Sequence, residues 1–173
     1  IRDVVVAQYF GARADPFFVA FKIPNFFRRL FAEGAFSVAF VPVLSEYRRL
    51  RPLDEVRLLV ARVSGVLGSA LLAVTVAAIM LADYLPWVFA PGFRSDPEKF
   101  ALTADLLRIT FPYLLFISLA AFASSVLNSY GRFAVPAFTP VLLNVCLIIA
   151  TVFASPLFEE PLFALAWGVF FAG

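Results

Sequence analysis

Long apolar runs separated by short polar stretches set the pattern of this chain. A helix needs about 20 mostly apolar residues to cross roughly 30 Å of hydrocarbon. Three runs meet this requirement without a single charged residue, and they cover residues 63–82, 109–130 and 135–154. The pattern therefore predicts three complete membrane-spanning helices in this part of the chain.

A fourth apolar segment, residues 16–45, differs because charged residues interrupt it. As one continuous helix it would be about 45 Å long, which exceeds the hydrocarbon thickness. Proline removes a backbone donor and glycine loosens a helix, so we expect a tilt, a kink or a break. The candidate positions are Pro24, Gly34 and Pro42.

Two shorter apolar segments lie at the ends of the chain, at residues 1–12 and 163–173. Each has about half the length that a membrane span needs. We expect them to be parts of spans, in a fragment truncated at both ends. The predicted fold is therefore all-α, a polytopic transmembrane helical bundle of about six segments over residues 1–173.

Composition narrows the function classes. Hydrophobic residues make up 62% of the chain, charged residues 15%, and the mean hydropathy is +0.92, whereas soluble domains are roughly 45–50% apolar. The chain has no histidine and one cysteine, Cys146, which excludes an intrachain disulfide, imidazole metal sites and Ser-His-Asp catalysis. We expect no enzyme activity, no catalytic or metal-binding residue, no cofactor and no nucleic-acid partner.

Basic residues indicate the orientation, because short cytoplasmic loops are enriched in Lys and Arg. The stretch after residue 45 carries Arg48, Arg49, Arg51, Arg57 and Arg62. Placing it in the cytoplasm puts residues 83–99 and 155–161 outside and the turn at residues 128–133 inside. The external stretch at 155–161 contains two glutamates and no basic residue, so the alternation is consistent.

Polar residues inside segment 16–45 are the main functional signal, since a basic residue at the centre of a membrane helix is unfavourable by about 2.5–3.5 kcal/mol or more. At about 100° per residue, five of them share an arc of roughly 80°, and Arg28 lies to its side. The five are Asp15, Lys22, Asn25, Arg29 and Glu33. A Pro24 kink could bring Arg28 into the same cavity.

Two interpretations of this stripe stay open. Arg29 and Glu33 could pair along the helix or extend to the membrane surface. Alternatively, the arginines line a cavity that binds an anion, because guanidinium groups match phosphate geometry. The position inside the membrane favours the anion-binding cavity. Arg2 and Asp3 fit an interfacial flank and a cavity role equally well.

Two polar pairs outside this segment have simpler interpretations. Asp105 and Arg108 are spaced to pair near the start of a helix. Pro140 and Asn144 interrupt an apolar span, where the sequence favours a locally satisfied helix irregularity over a functional break.

Four runs resemble one protein family along almost the whole chain. They read RDVVVAQYFGA, DPFFVAFKIPNFFRRLFAEGAFSVAFVPVLSEYR, LLRITFPYLLFISLAAFASSVLNSYGRFAVPAFTPVLLN and FALAWGVF. They are similar to the N-terminal part of the MurJ (MviN) family of lipid II flippases, within the multidrug/oligosaccharidyl-lipid/polysaccharide exporter superfamily. The resemblance implies the N-terminal lobe of a multi-pass protein of the bacterial cytoplasmic (inner) membrane, with the C-terminal lobe absent.

The resemblance also implies an activity and a substrate-binding set. Such a protein moves the undecaprenyl-pyrophosphate-linked peptidoglycan precursor from the cytoplasmic to the periplasmic leaflet by alternating access. Partners would be this precursor, membrane lipids and cell-wall synthesis proteins. The matching residues are Arg2, Asp3, Asp15, Lys22, Asn25, Arg28, Arg29 and Glu33.

The chain departs from the family pattern at two places. The loop before the second segment is short and carries Pro16 directly after Asp15, and Val38 replaces a usual glutamine.

The alternatives to a lipid II flippase are a related exporter of drugs or polysaccharide-linked lipid and a non-transporting scaffold for cell-wall assembly. A transferase acting on polyprenyl phosphates is disfavoured, because the predicted spans lack clustered carboxylates for a divalent metal.

Overall fold

The regular structure in the described part of the chain is entirely helical, which confirms the all-α prediction. A computed structural model describes residues 2–29 and 35–173. The α-helices are α1 (Arg2–Phe10), α2 (Asp15–Arg28), α3 (Ala35–Leu50), α4 (Leu53–Met80), α5 (Leu85–Phe89), α6 (Pro97–Thr110), α7 (Pro112–Ser129), α8 (Ala134–Ile149) and α9 (Leu162–Ala172). A π-helical turn, Ala150–Ala154, continues α8.

Three helical stretches are long and apolar enough to cross a membrane: Leu53–Met80, Pro97–Ser129 and Pro136–Leu157. The first and third are mostly exposed, whereas the second is half buried. Exposed apolar helix faces suit contact with lipid. These faces, together with the comparisons reported below, identify a membrane protein.

Helices α4 and α6 begin about ten residues before the charge-free runs, because each has a polar extension with its own start signal. Helix α4 begins at Leu53, directly after Pro52, with two acidic residues in its first turn. Helix α6 begins at Pro97, where the Asp96 side chain accepts a hydrogen bond of 3.1 Å from the Lys99 amide. The Asp96 cap stabilises the start of α6, and acidic residues at the positive end of the helix dipole favour the start of α4.

The predicted segment 16–45 contains two helices, α2 and α3. Pro24 and Pro42 both lie inside a helix. Gly34, the third candidate break position, lies outside the described residues.

The short apolar helix α9 lies at the centre of the bundle. It contacts α2, α6, α7 and α8. Leu165 and Val169 are fully buried, and they join Ile23, Leu107 and Phe111 in one hydrophobic core. Helix α9 therefore holds together the elements around it.

The stretches predicted to share a side of the membrane meet in the structure. At one end, Arg48 donates a hydrogen bond to the Ser129 carbonyl and lies 3.7 Å from the centre of the Tyr130 ring. At the other end, Arg108 donates to Asp105 at 2.6 Å and to both oxygens of Asp83 at 2.6 and 2.7 Å. The predicted Asp105–Arg108 pair therefore forms, but near the end of α6 and not at a helix start, because the Asp96 cap starts this helix at Pro97. The Arg48 contacts join two stretches predicted to lie on the cytoplasmic side, and the Arg108 bonds join the two ends of the connection between α4 and α7.

Candidate functional site

A cavity of about 310 Å³ lies between α2, α7 and α8. Arg28 is the one arginine among the described residues that line it. Its polar side chains come from α2 and α8, and its apolar ones mostly from α2 and α7. The lining residues are Phe21, Asn25, Arg28, Tyr113, Ile117, Thr139, Pro140, Leu143 and Asn144. Among these described residues Arg28 carries the one formal charge.

Arg28 is held in place by its neighbour on α2. Its Nε donates a hydrogen bond of 2.9 Å to Asn25 Oδ1, and both residues are partly buried. The amide thereby limits the rotamers that the guanidinium can adopt. A planar, permanently charged fork of donors in a low-dielectric wall is suited to an anion such as a phosphate.

Pro24 leaves a backbone carbonyl of α2 without its usual donor, and a residue of α6 supplies one. Because proline has no N–H, it cannot donate to the Ala20 carbonyl one turn earlier. The Thr110 hydroxyl of α6 donates to that carbonyl instead, at 3.1 Å, and Thr110 is fully buried. This bond fixes the turn of α2 that presents Asn25 and Arg28 to the cavity.

Replacing Thr110 by valine should lower the free energy of unfolding by about 1 kcal/mol, because the Ala20 carbonyl then loses its donor at nearly constant side-chain volume. Thermal unfolding of the purified full-length protein measures the change. Thr103→Val is the matched control, since the buried Thr103 hydroxyl bonds the Lys99 carbonyl of its own helix. Equal losses in the two variants would contradict this role of Thr110.

The structure separates the residues of the predicted stripe. Asn25 lines the cavity together with Arg28, the residue that the helical projection places to the side. Asp15 begins α2, Lys22 lies in its middle and Arg29 caps its end, and all three are exposed outside this cavity. The Pro24 turn lies between Lys22 and Asn25, where the regular α-helical bonding is interrupted.

The other predicted site residues are Arg2, Asp3 and Glu33, and their side chains lie outside the described residues. Arg2 and Asp3 lie in the first turn of α1, which packs beside α8; their side chains are outside the described residues. Glu33 and its pairing with Arg29 lie outside the described residues, as does the side chain of Val38.

The α8 wall of the cavity contains no residue of the predicted substrate-binding set. Thr139, Pro140 and Asn144 all lie on it. At about 100° per residue, the α8 lining residues span an arc of roughly 140°, so the polar positions share one helix face. The available signal was the presence of polar side chains on one face of a charge-free span.

No group of three or more His, Cys, Asp or Glu residues placed to hold a metal ion occurs within residues 2–29 and 35–173. The arrangement provides a cationic group, amides and a hydroxyl beside aromatic surface. Such a lining can bind a ligand that combines an anion with hydroxyl or amide groups.

Comparisons with known proteins agree on one family. A family model described as lipid II flippase MurJ matches residues 6–173. The lipid II flippase MurJ of Burkholderia cenocepacia is 47% identical over 174 residues, covering 99% of this chain and 34% of that protein. The probable lipid II flippase MurJ of Vibrio cholerae is 47% identical over 182 residues, covering 100% of this chain and 35% of that protein.

A solved structure is also similar. The lipid II flippase MurJ in an inward closed conformation superposes with a TM-score of 0.80 at 32% identity, covering 99% of this chain and 36% of that one. The chain spans about a third of the length of the curated relatives that it matches.

Proposed function

This chain belongs to the lipid II flippase MurJ family, and we propose that it forms the N-terminal lobe of a protein that moves lipid II from the cytoplasmic to the periplasmic leaflet. The observation that carries the proposal is the Arg28 guanidinium, held by Asn25 in a cavity between membrane helices. The same proposal places the protein in the bacterial cytoplasmic membrane.

The physical task is to lower the free energy of an anionic, sugar-bearing headgroup inside hydrocarbon. An unpaired charge in a medium of low dielectric constant is strongly unfavourable, whereas a charge that is paired and hydrogen-bonded is tolerated. Arg28 supplies the opposite charge. Translocation in this scheme needs neither bond cleavage nor a cofactor.

The remaining predicted residues take supporting roles in this proposal. Arg2 would join Arg28 in holding the pyrophosphate, and so would Arg29 from its exposed position beside the cavity. Glu33 would tune or gate the cavity, together with Asp15 at the exposed start of α2. Asn25 has a more specific role, because its bond to Arg28 orients the guanidinium. Lys22 and Asp3 complete the proposed substrate-binding set.

Movement of the substrate would follow from rocking of this lobe against the second one, which exposes the site to each side of the membrane in turn. The contacts within the lobe support this scheme. The bond of Arg48 connects α3 to α7, and that of Arg108 connects α6 to the turn after α4, which favours movement of these elements together. Lipid II, membrane lipids and cell-wall synthesis proteins are the proposed partners.

Complementation of cells depleted of their own lipid II flippase tests the proposal. The full-length parent of this chain should restore growth and bring lipid II to the outer leaflet, where a membrane-impermeant reagent can label its headgroup. Growth without labelled lipid II at the outer leaflet would favour a scaffold. Absence of both, with normal amounts of protein in the membrane, would contradict the proposal.

A further inference from the structure

The second polar wall of the cavity, on α8, has a chemistry different from that of the Arg28 wall. Asn144 and Thr139 lie on it, and both are uncharged. An amide and a hydroxyl each contain a donor and an acceptor, whereas guanidinium contains donors only. The two walls therefore suit two different parts of one ligand.

Asn144 lies well inside a membrane span. It follows Pro136, the first residue of the span Pro136–Leu157, by a distance along the helix of roughly 12 Å at about 1.5 Å per residue. Among the residues that the structure describes, the Asn144 amide has no hydrogen-bond partner. An amide at this depth is unfavourable unless a partner group meets it, and such residues commonly mark substrate pathways.

We propose that the Asn144 amide binds the sugar adjacent to the pyrophosphate, while Arg28 binds the pyrophosphate itself. Sugar hydroxyl and acetamido groups both donate and accept hydrogen bonds, so they satisfy both ends of an amide. Phosphate oxygens only accept, and they pair best with the cation. This inference rests on the proposed function and assigns the contacts within its site.

The size of the cavity agrees with the assignment of the sugar to Asn144 and of the pyrophosphate to Arg28. At about 310 Å³, it lies at the lower limit of ligand pockets, which are roughly 300–1,000 Å³. It has room for part of a headgroup and not for a whole disaccharide-pentapeptide. Phe21 and Tyr113, whose ring centres are 6.2 Å apart, add apolar surface beside the polar wall.

Binding of two lipids to the purified full-length protein tests the assignment. The probes are lipid II and a polyprenyl pyrophosphate without sugars. Asn144→Leu should weaken lipid II binding roughly tenfold, as expected for the loss of one or two hydrogen bonds. Binding of the sugar-free lipid should stay unchanged, and it also demonstrates that the variant is folded. Asn144→Ala removes the amide without adding bulk and should behave in the same way.

Val145→Leu is the matched control, because Val145 is the next residue of α8, is exposed and lies outside the cavity lining; it should change neither affinity. Arg28→Ala should weaken binding of both lipids. If it does so while the Asn144 variants affect neither lipid, or affect both equally, the assignment of Asn144 fails and the proposed function stands. If Arg28→Ala leaves both affinities unchanged, the proposed site itself fails.

Discussion

Replacing Arg28 by alanine in the full-length protein should reduce lipid II translocation by about 30-fold or more. Removing one partner of a desolvated charge pair typically destabilises the complex by about 2–5 kcal/mol, and each 1.4 kcal/mol corresponds to a factor of ten. The pyrophosphate would then enter a low-dielectric cavity whose lining has lost its arginine. Labelling of lipid II at the outer leaflet of a complemented depletion strain measures the loss.

Two variants sharpen this test. Arg28→Lys should retain intermediate activity, because the charge remains while the planar fork that Asn25 orients is lost. Arg49→Ala should retain full activity, since Arg49 is exposed and lies near the end of α3, outside this cavity. Normal export by the Arg28→Ala protein at normal membrane levels would remove Arg28 from the proposed site.

The helical bundle could be predicted because hydrocarbon imposes a simple rule on sequence. An apolar run of about 20 residues has few alternatives to a spanning helix, since every backbone polar group must be satisfied internally. The ends of the helices were less predictable. Helices α4 and α6 begin with polar turns outside the charge-free runs, where the acidic first turn of α4 and the Asp96 cap of α6 favour the boundary.

The arrangement of the site depended on a contact that the sequence does not display. A regular projection places Arg29 on the stripe and Arg28 beside it, because it assumes uniform rotation along α2. The Thr110 hydroxyl donates to the Ala20 carbonyl, to which Pro24 has no N–H to donate. These two residues are 90 positions apart in sequence, so only the fold reveals the pairing.

The α8 wall illustrates the opposite case, in which the residue was visible but its environment was not. Asn144 stands out in an apolar span, yet sequence alone cannot distinguish a side chain that bonds its own helix from one that faces a cavity. The difference is set by which helix face meets α2 and α7. That face became identifiable once Leu143 and Thr139 were found on the same wall.

The central position of α9 has a second consequence, which concerns stability. Gly168 lies on the face of α9 that meets α8, and it is buried. A Cβ atom placed on it would lie 2.7 Å from Ala150 Cβ, which is shorter than carbon atoms tolerate. Gly168 lets the backbone of α9 approach Ala150, the first residue of the π-helical turn, closely. Helices α9 and α8 would have to separate to accept a larger residue at this position.

Gly168→Ala should therefore lower the free energy of unfolding by about 2 kcal/mol relative to the same substitution at Gly65. Overpacking typically destabilises by about 1–3 kcal/mol. Both glycines lie inside helices, so the gain in helix propensity from alanine, up to about 1 kcal/mol, is common to the two variants. A Cβ at Gly65 meets no atom within 4 Å. Thermal unfolding of the full-length variants measures the difference.

A second substitution tests whether the Ala150 contact is the cause. Ala150→Gly removes the atom nearest to the new Cβ, so its effect should be less destabilising in the Gly168→Ala background than in the natural protein. Contacting residues show such non-additivity, whereas independent sites add. Strict additivity of the two changes, or equal stability of the Gly168→Ala and Gly65→Ala proteins, would show that α8 and α9 do not meet at this close contact.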